Sequence, residues 1–318
     1  MVKKATMEAI NEALRMTVST PIPTGWRTVQ PYPGGGARKS RARGPSGWDL
    51  ATRLEYEPGA DNIRDIDWPA TAQTGGQQVL VSHKLEPRDL KIYILADVQP
   101  TMDFGTFRTT KRQLGVELAA SVMKSAAKSE DKVAFMAFSS ERVEALVTPR
   151  SPQKAMMPAL VSMIEGGNVP RWGNEKQPLS GLQRVLKNLP SRKAMVVIIS
   201  DFLNMTDADR EALRKAALFH DVICLCVQDR RERELPAGIK VFGFEIGGLY
   251  TLRDLRTGQR KSIWLSKGNR EKFAENFRQH QESLEEFFRK SHIDFGIFST
   301  EEGIAGLPKL MRVFSNHR

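Results

Sequence analysis

Oxygen-bearing side chains follow two apolar runs of this sequence. The run "YILAD" ends in Asp97, and Gln99 and Thr101 follow it at alternate positions. A second run, "VVIISD", ends in Asp201. Carboxylate, amide and hydroxyl oxygens suit a hard divalent cation such as Mg²⁺ that keeps several of its waters. The same groups would also suit an electropositive side chain of a partner protein.

A structural interpretation explains the same two aspartates. Aspartate is common at strand-to-helix turns, where its carboxylate accepts a hydrogen bond from a backbone N–H of the next helix. Asp97 and Asp201 both stand at the end of an apolar run and ahead of a segment with helical spacing. The two residues by themselves therefore leave a cation site and a pair of helix caps as open alternatives.

The elements around these aspartates predict where they lie. From about residue 89 to 318, apolar runs alternate with segments of helical spacing. This order is typical of an α/β fold with a doubly wound, mostly parallel sheet of the Rossmann type. Asp97 and Asp201 would then lie together at the carboxyl edge of neighbouring strands, where ligands bind in such sheets. A β-rich insertion is expected at about residues 239–266.

The chain before residue 89 has a different character. Residues 48–88 contain two alternating runs, which predict a strand pair packed on the main domain. Residues 1–47 begin with a helix in which Met7, Ile10 and Leu14 have helical spacing. The rest of that segment is rich in Pro, Gly and basic residues, and we expect an irregular arm there.

Positive charge is concentrated in this arm. The chain has a formal net charge of +11, and the segment "RKSRAR" supplies Arg38, Lys39, Arg41 and Arg43. A solvated loop, an electrostatic docking patch and a nucleic-acid contact are three explanations for such a cluster. Nucleic acid is the least favoured, because no recognition helix, zinc finger or aromatic-studded strand accompanies the cluster.

The residue types needed for enzymatic chemistry form no recognised pattern. None of the five histidines belongs to a His-Glu-x-x-His array, and no Gly-x-Ser-x-Gly sequence occurs. The two cysteines, Cys224 and Cys226, lie in one apolar run, and we expect buried thiols in a reducing compartment. No apolar run approaches the ~18 residues of a membrane span. These features predict a cytoplasmic protein that is not an enzyme.

The segment "IRDIDW" places charge and a large aromatic in a turn-rich stretch. One interpretation is a structural lock, in which Arg64 pairs with a carboxylate and Trp68 fills a gap between strands. The other is a partner-facing hot spot that includes Asp67, since Trp and Arg dominate such surfaces. The sequence does not separate the two.

Several separated motifs resemble those of one bacterial family. "LEYEPGADNIRDIDWPATAQTG" is similar to its Tyr-x-Pro-Gly-Asp-Asp and Arg-x-Ile-Asp-Trp signature, and "DVQPTMDFG" to its Asp-x-Ser-x-Ser-Met loop. The segments "IISDFL", "QDRRERELPAGI" and "DLRTGQ" follow in the family's order. Over roughly residues 48–318 the chain thus resembles domain of unknown function fifty-eight. This family has a von Willebrand factor A-like fold, and its members often accompany MoxR-type AAA+ ATPases.

The resemblance implies a metal-ion-dependent adhesion site, but this sequence departs from the family's pattern. Asp97 and Asp201 match the two acids, whereas Gln99 replaces the first serine and Thr101 replaces the second. Gln177 is expected to stand where the family has a distant threonine. Mg²⁺ demands near-ideal octahedral geometry, and the longer Gln99 amide adds no charge. We therefore expect a degenerate site that binds Mg²⁺ weakly or has lost it.

The resemblance also implies a function. We expect a non-enzymatic adaptor that works with a MoxR-type AAA+ ATPase and an unidentified client protein. Asp103 is a candidate replacement carboxylate, although polarity at a helix N-terminus explains it equally well. The candidate partner-binding residues are Asp103, Gln177, Arg64, Asp67 and Trp68. The alternative function is electrostatic binding to nucleic acid or an anionic surface through the basic arm.

Overall fold

The computed structural model describes most of the chain. The described residues are 4–17, 30–31, 39–44, 49–58, 63–89, 91–106, 109–128, 131–140, 142–165, 179–235, 239–241, 244–246, 248–253, 260–302 and 307–316. Within these ranges, no helix has both the length and the apolar character needed to cross a membrane.

The described residues form strands and helices in alternation. The strands are β1 (Gln30–Pro31), β2 (Lys39–Gly44), β3 (Asp49–Glu55), β4 (Leu80–Asp89), β5 (Lys91–Asp97), β6 (Lys132–Phe138), β7 (Val143–Arg150), β8 (Met195–Ser200), β9 (Asp221–Gln228), β10 (Ile239–Val241), β11 (Phe244–Ile246), β12 (Gly248–Arg253), β13 (Arg260–Leu265) and β14 (Asp294–Ser299). The helices are α1 (Lys4–Met16), α2 (Trp68–Gln73), α3 (Lys111–Lys128), α4 (Pro152–Glu165), α5 (Gly181–Lys187), α6 (Asp207–Phe219), α7 (Arg230–Arg233), α8 (Lys267–Lys290) and α9 (Leu307–Asn316).

A six-stranded sheet in the order β14-β9-β8-β5-β6-β7 is the centre of the fold. Its strands are parallel except β7, which forms an antiparallel pair with β6. β8 is buried along its whole length, as expected for a strand covered on both faces. The predicted α/β architecture with a mostly parallel sheet is confirmed.

Alternate residues of each central strand pack into two separate cores. On β5, Ile92, Ile94 and Ala96 belong to one core with residues of α1, α3, α4 and α9. Tyr93 and Leu95 belong to the other, with residues of α5, α6 and α8. Because successive side chains of a strand point to opposite faces, this division places helices on both faces of the sheet. The sheet thus lies between two packed layers of helices.

The two cysteines lie on β9, as predicted. Cys224 and Cys226 are buried and unpaired, and both pack into the core formed with α5, α6 and α8. Burial raises the pKa of the Cys224 thiol well above its ordinary value, so this thiol stays protonated.

A second, smaller sheet precedes the central one. β4 pairs with β1, β2 and β3, all antiparallel. The prediction of an irregular arm is wrong for Lys39–Gly44, which forms β2 and pairs with β4 through Lys39↔Pro87 and Arg43↔Leu85. The backbone N–H and C=O groups of β4 support this pairing whatever the side chains of β2 are, so composition did not reveal it. Arg38 lies outside the described residues.

Two hairpins occupy the predicted β-rich insertion. β10 pairs with β11, and β12 pairs with β13 over six residue pairs from Gly248↔Leu265 to Arg253↔Arg260. The N-terminal helix is also where its spacing predicted it, with Ile10 fully buried against the first core.

Glu117 of α3 is influenced by the charge of a second carboxylate, Glu12 of α1. Glu117 of α3 is buried, and burial together with the nearby Glu12 of α1 raises the pKa of Glu117 to about 7. The unfolded chain has a lower pKa at this position, with an ordinary value of 4.5. The folded protein therefore binds more protons between these values, and stability falls as pH rises from about 4.5 to about 7.

Replacing Glu117 by glutamine should remove this loss. We expect Glu117→Gln to raise the free energy of unfolding by about 2 kcal/mol at about pH 8.5 and to change it little at about pH 4.5. Urea denaturation at the two pH values measures the difference. Glu12→Gln is the control, and it should recover a smaller part of the stability that is lost at about pH 8.5. An equal gain at both pH values would mean that charge is not the cause.

Candidate functional site

The carboxyl edge of the central sheet brings the two predicted aspartates to neighbouring strands. β5 and β8 are parallel partners, and their last register pair is Ala96↔Ile199. Asp97 therefore lies beside Ser200, whose Oγ donates to Asp97 Oδ2 at 2.6 Å, and Asp201 follows directly. Burial, and then the charge of Asp201, raise the pKa of Asp97 to about 7. The expected acidic pair is present at this edge.

Each aspartate also closes a local turn. Asp97 Oδ1 accepts from the Gln99 N–H at 2.9 Å, and Asp201 Oδ1 accepts from the Leu203 N–H at 3.2 Å. In both cases the donor lies two residues further along the chain, which is the geometry of an Asx turn. The turns leave the second oxygen of each carboxylate for longer-range contacts. The helix-cap alternative does not describe either residue, because Gln99 precedes the short 3-10 helix Pro100–Asp103 and Thr206 caps α6.

Gln99 connects Asp97 to the end of the neighbouring strand β6. Its Nε2 donates to Asp97 Oδ2 at 3.3 Å, and its Oε1 accepts from Ser140 Oγ at 3.2 Å. The amide thus uses both of its ends inside the site. Where the family resemblance places a metal-binding serine, this chain has a side chain that donates a hydrogen bond to the carboxylate.

Lys111, at the start of α3, pairs with Asp201 in the interior. The lysine is fully buried, and its Nζ lies 2.7 Å from Asp201 Oδ2 and 2.5 Å from Glu232 Oε1 of α7. Burial alone would lower the pKa of Lys111, but the two carboxylates outweigh it and the pKa is raised. The ammonium is therefore charged and neutralises one carboxylate of the predicted pair.

Sequence reasoning missed both Lys111 and Glu232. Neither residue stood in a pattern that predicts a site, since Glu232 lies within the charged run "RRERE". One signal was available. A lysine at the first position of a helix places positive charge at the positive end of the helix dipole, and a nearby carboxylate would compensate for that repulsion.

Glu232 is held in place by a third buried aspartate, Asp229. Asp229 caps α7 by accepting from the Arg231 N–H at 2.9 Å, and Glu232 Oε2 in turn accepts from the Asp229 N–H at 3.1 Å. Asp229 also accepts from the hydroxyls of Thr106 and Thr300, each at 2.6 Å. Burial would raise the pKa of Asp229, but these hydrogen bonds outweigh it and lower the pKa. Three distant segments are thereby fixed around Lys111.

A polar cleft of about 220 Å³ opens beside this network. Its polar lining is Asp97, Gln99, Ser140, Ser180, Ser200, Asp201, Asn204, Thr206 and Asp209. Asp209 organises the far wall, because it accepts from Ser180, from Gln183 Nε2 at 2.8 Å and from the Thr206 hydroxyl at 2.7 Å. The cleft therefore presents carboxylates and hydroxyls on a well-connected frame.

The backbone after Asp201 is held in an uncommon conformation. Phe202 has φ 52°, in the left-handed region that costs a non-glycine residue on the order of 1 kcal/mol. Its N–H donates to Ser200 Oγ at 3.1 Å, and its ring packs edge-on against Phe288 of α8 at 5.5 Å between centroids. This packing holds the turn that orients Asp201.

The other predicted site residues lie apart from this arrangement. Thr101 Oγ1 is buried with no hydrogen-bond partner among the described residues, but Thr101 does not line the cleft. Asp103 is an exposed residue that pairs with Arg112. Gln177 lies outside the described residues. The structure thus brings together Asp97, Gln99 and Asp201, but not the whole predicted set.

The residues present do not fit a divalent cation. Asp201 is paired with an ammonium group at 2.7 Å, and Asp97 accepts hydrogen bonds from Ser200 and Gln99. Within the described ranges, no cluster of three or more His, Cys, Asp or Glu side chains has the arrangement to hold a metal. Gln99 and Lys111 therefore both place nitrogen donors against the carboxylate oxygens that a cation would need.

The turn that contains "IRDIDW" is locked through Asp67. Its carboxylate accepts from Arg53 Nε at 2.8 Å, from Ser82 Oγ at 2.9 Å and from the Ala70 N–H at 3.1 Å. The Ala70 N–H, then Ser82 and Arg53, lower the pKa of Asp67. Trp68 is 64% exposed, so the prediction that it fills a gap between strands is wrong. A partner-binding role for the exposed Arg64 and Trp68 stays a prediction.

Comparison with known proteins gives the chain a family. The model of the family described as "Protein of unknown function DUF58" matches residues 52–283. The chain belongs to this family. Its relatives include the uncharacterised proteins Rv1480 of Mycobacterium tuberculosis and Mb1516 of Mycobacterium bovis, each 29% identical over 241 residues. The alignment covers 75% of this DUF58 chain and 70% of each relative.

Two solved structures are similar over most of their length. One is the conserved hypothetical protein BatB from Bacteroides thetaiotaomicron, with a TM-score of 0.40 and 15% identity over 72% of this chain and 98% of that one. The other is an aerotolerance-related membrane protein from Bacteroides fragilis, with a TM-score of 0.38 and 14% identity over 71% and 99% of the two chains.

Proposed function

We propose that this DUF58 protein is a non-enzymatic adaptor that binds a partner protein at the polar cleft. The proposal includes a von Willebrand A-like fold of the Rossmann type, a MoxR-type AAA+ ATPase as partner and an unidentified client. The ATPase is what the family resemblance implies. A cytoplasmic site of action is supported by the buried, unpaired Cys224 and Cys226, which are typical of a reducing compartment.

The observation that carries the proposal is the composition and position of the cleft. Its polar groups come from the ends of β5 and β8 and from the first turns of α5 and α6, which are packed elements of the sheet edge. Such a frame keeps acceptors in fixed positions before a partner arrives. A lysine or arginine side chain would gain charge-assisted hydrogen bonds there, and a hydroxyl would gain neutral ones. The cleft therefore favours a basic or hydroxylated partner surface.

Affinity purification from the native host tests the proposal. The tagged protein is purified with magnesium and ATP, and bound proteins are identified by mass spectrometry. Asn204→Arg places a cation at the exposed rim of the cleft and should reduce ATPase recovery about tenfold, equal to about 1.4 kcal/mol of binding. Asn11→Arg makes the same change at an exposed position of α1 and should leave recovery unchanged.

The outcomes distinguish the parts of the proposal. Recovery of an AAA+ ATPase that depends on the cleft supports it, whereas equal recovery with both variants would contradict the cleft as the contact surface. If wild type recovers ribosomes or nucleic acid instead, the adaptor function is wrong. Loss of that recovery at high salt would then favour electrostatic binding through Lys39, Arg41 and Arg43.

A further inference from the structure

We propose that the Lys111 ammonium is a resident cation, which takes the place of a divalent metal ion at the carboxyl edge of the sheet. The group lies inside the protein, with no exposed side-chain surface, and contacts Asp201 Oδ2 at 2.7 Å and Glu232 Oε1 at 2.5 Å. The inference concerns the chain by itself, so it stands or falls independently of the proposed partner.

Buried carboxylates at this edge require a positive charge or a full set of hydrogen bonds. Asp97 and Asp201 are 2% and 4% exposed, and buried anions are stable only when they are paired or fully hydrogen-bonded. A metal ion would supply that charge by binding from solution, and the charge would be lost when the ion dissociates. A lysine supplies it covalently, at one fixed position, with three N–H donors. At Asp201, Lys111 thus supplies the positive charge that a metal would otherwise supply.

A second nitrogen donor serves the other carboxylate. Gln99 Nε2 donates to Asp97 Oδ2 at 3.3 Å, while its Oε1 accepts from Ser140. Serine at position 99 would instead present a hydroxyl oxygen, the kind of ligand that Mg²⁺ prefers. The departure at position 99 and the lysine at position 111 therefore act together: both aspartates receive hydrogen bonds from protein nitrogen atoms.

The position of Lys111 is built by the fold. Glu232 is fixed by its reciprocal capping with Asp229, and Asp229 is buried and tied to Thr106 and Thr300. The ammonium thus lies between two carboxylates, and each of them also accepts a hydrogen bond from a backbone N–H. A surface lysine would have no such frame, so the ion pairs are a structural feature of the site and not a chance contact.

Manganese binding to the purified full-length chain tests the inference. For wild type, we expect the electron paramagnetic resonance signal of free Mn²⁺ to be undiminished and the melting temperature to be the same in Mn²⁺ and in EDTA. Lys111→Ala should gain a site that uses the freed carboxylates, with a rise in melting temperature of about 3 °C when Mn²⁺ is at about ten times its Kd. Lys111→Ala combined with Asp201→Asn should lose this rise.

Lys124→Ala is the matched control. Lys124 is another lysine of α3 and is half-buried, but it donates to the Leu14 carbonyl and the Thr17 hydroxyl, so its removal frees no carboxylate. The inference is overturned if wild type binds Mn²⁺ and Asp97→Asn abolishes that binding. It is also overturned if Lys111→Ala folds and responds to Mn²⁺ no more than Lys124→Ala. If Lys111→Ala does not fold, Lys111→Gln, whose amide can still donate to one carboxylate, replaces it with the same criteria.

Discussion

Replacing Lys111 by methionine is expected to lower the free energy of unfolding by about 3–5 kcal/mol at neutral pH. Methionine is close to lysine in shape, so the loss comes from charge and not from a cavity. Asp201 and Glu232 would be left facing each other in the interior without the ammonium that lies 2.7 Å from one and 2.5 Å from the other. Urea denaturation, with the midpoint compared at equal slope, measures the effect.

Two further variants separate charge from packing. Lys124→Met removes a lysine whose partners are a carbonyl and a hydroxyl, and should cost about 1 kcal/mol. Adding Glu232→Gln to Lys111→Met should recover part of the loss, because one uncompensated carboxylate is gone. If Lys111→Met and Lys124→Met cost the same, the ion pairs with Asp201 and Glu232 do not carry the stability assigned to them.

Replacing Gly181 by alanine is expected to destabilise the protein by about 3 kcal/mol. A Cβ at this position would lie 1.8 Å from the Ser139 carbonyl oxygen and 3.0 Å from the Arg142 carbonyl oxygen. The obstacle is backbone, so no change of rotamer relieves it. The Gly181 N–H also donates to the Ser140 carbonyl at 2.9 Å. The substitution would push apart the segments that carry Ser140 and Ser180 into the cleft.

Gly268→Ala is the matched control for this change. Gly268 lies in the first turn of α8, and a Cβ there would meet nothing within 4 Å. Alanine is the better helix former, so this variant should be as stable as wild type or up to about 1 kcal/mol more stable. Thermal denaturation of both variants measures the contrast. Equal stability of the two variants would contradict the close approach of α5 to the loop after β6.

Local patterns in the sequence determined the framework of the candidate site. The apolar runs that end at Asp97 and Asp201 predicted buried strands, and parallel strands bring their carboxyl ends to one edge. That reasoning placed Asp97 and Asp201 at one edge of neighbouring strands, and the pairing of β5 with β8 agrees with it. The same patterns predicted the burial of Cys224 and Cys226. Separated motifs such as "DVQPTMDFG" pointed to the family that the comparison then identified.

What only the tertiary structure decided is how the charges are paired. Lys111 and Asp201 are 90 residues apart in sequence, and Lys111 and Glu232 are 121 residues apart. The strand β2 was hidden for a related reason, because β4 supplies backbone partners that composition does not record. Hydrophobic periodicity reports which face of an element is buried, since burial repeats with the backbone geometry. The residue type of a charged side chain is the same whether the side chain contacts water or a distant carboxylate. Its partner can therefore be identified only from the folded structure.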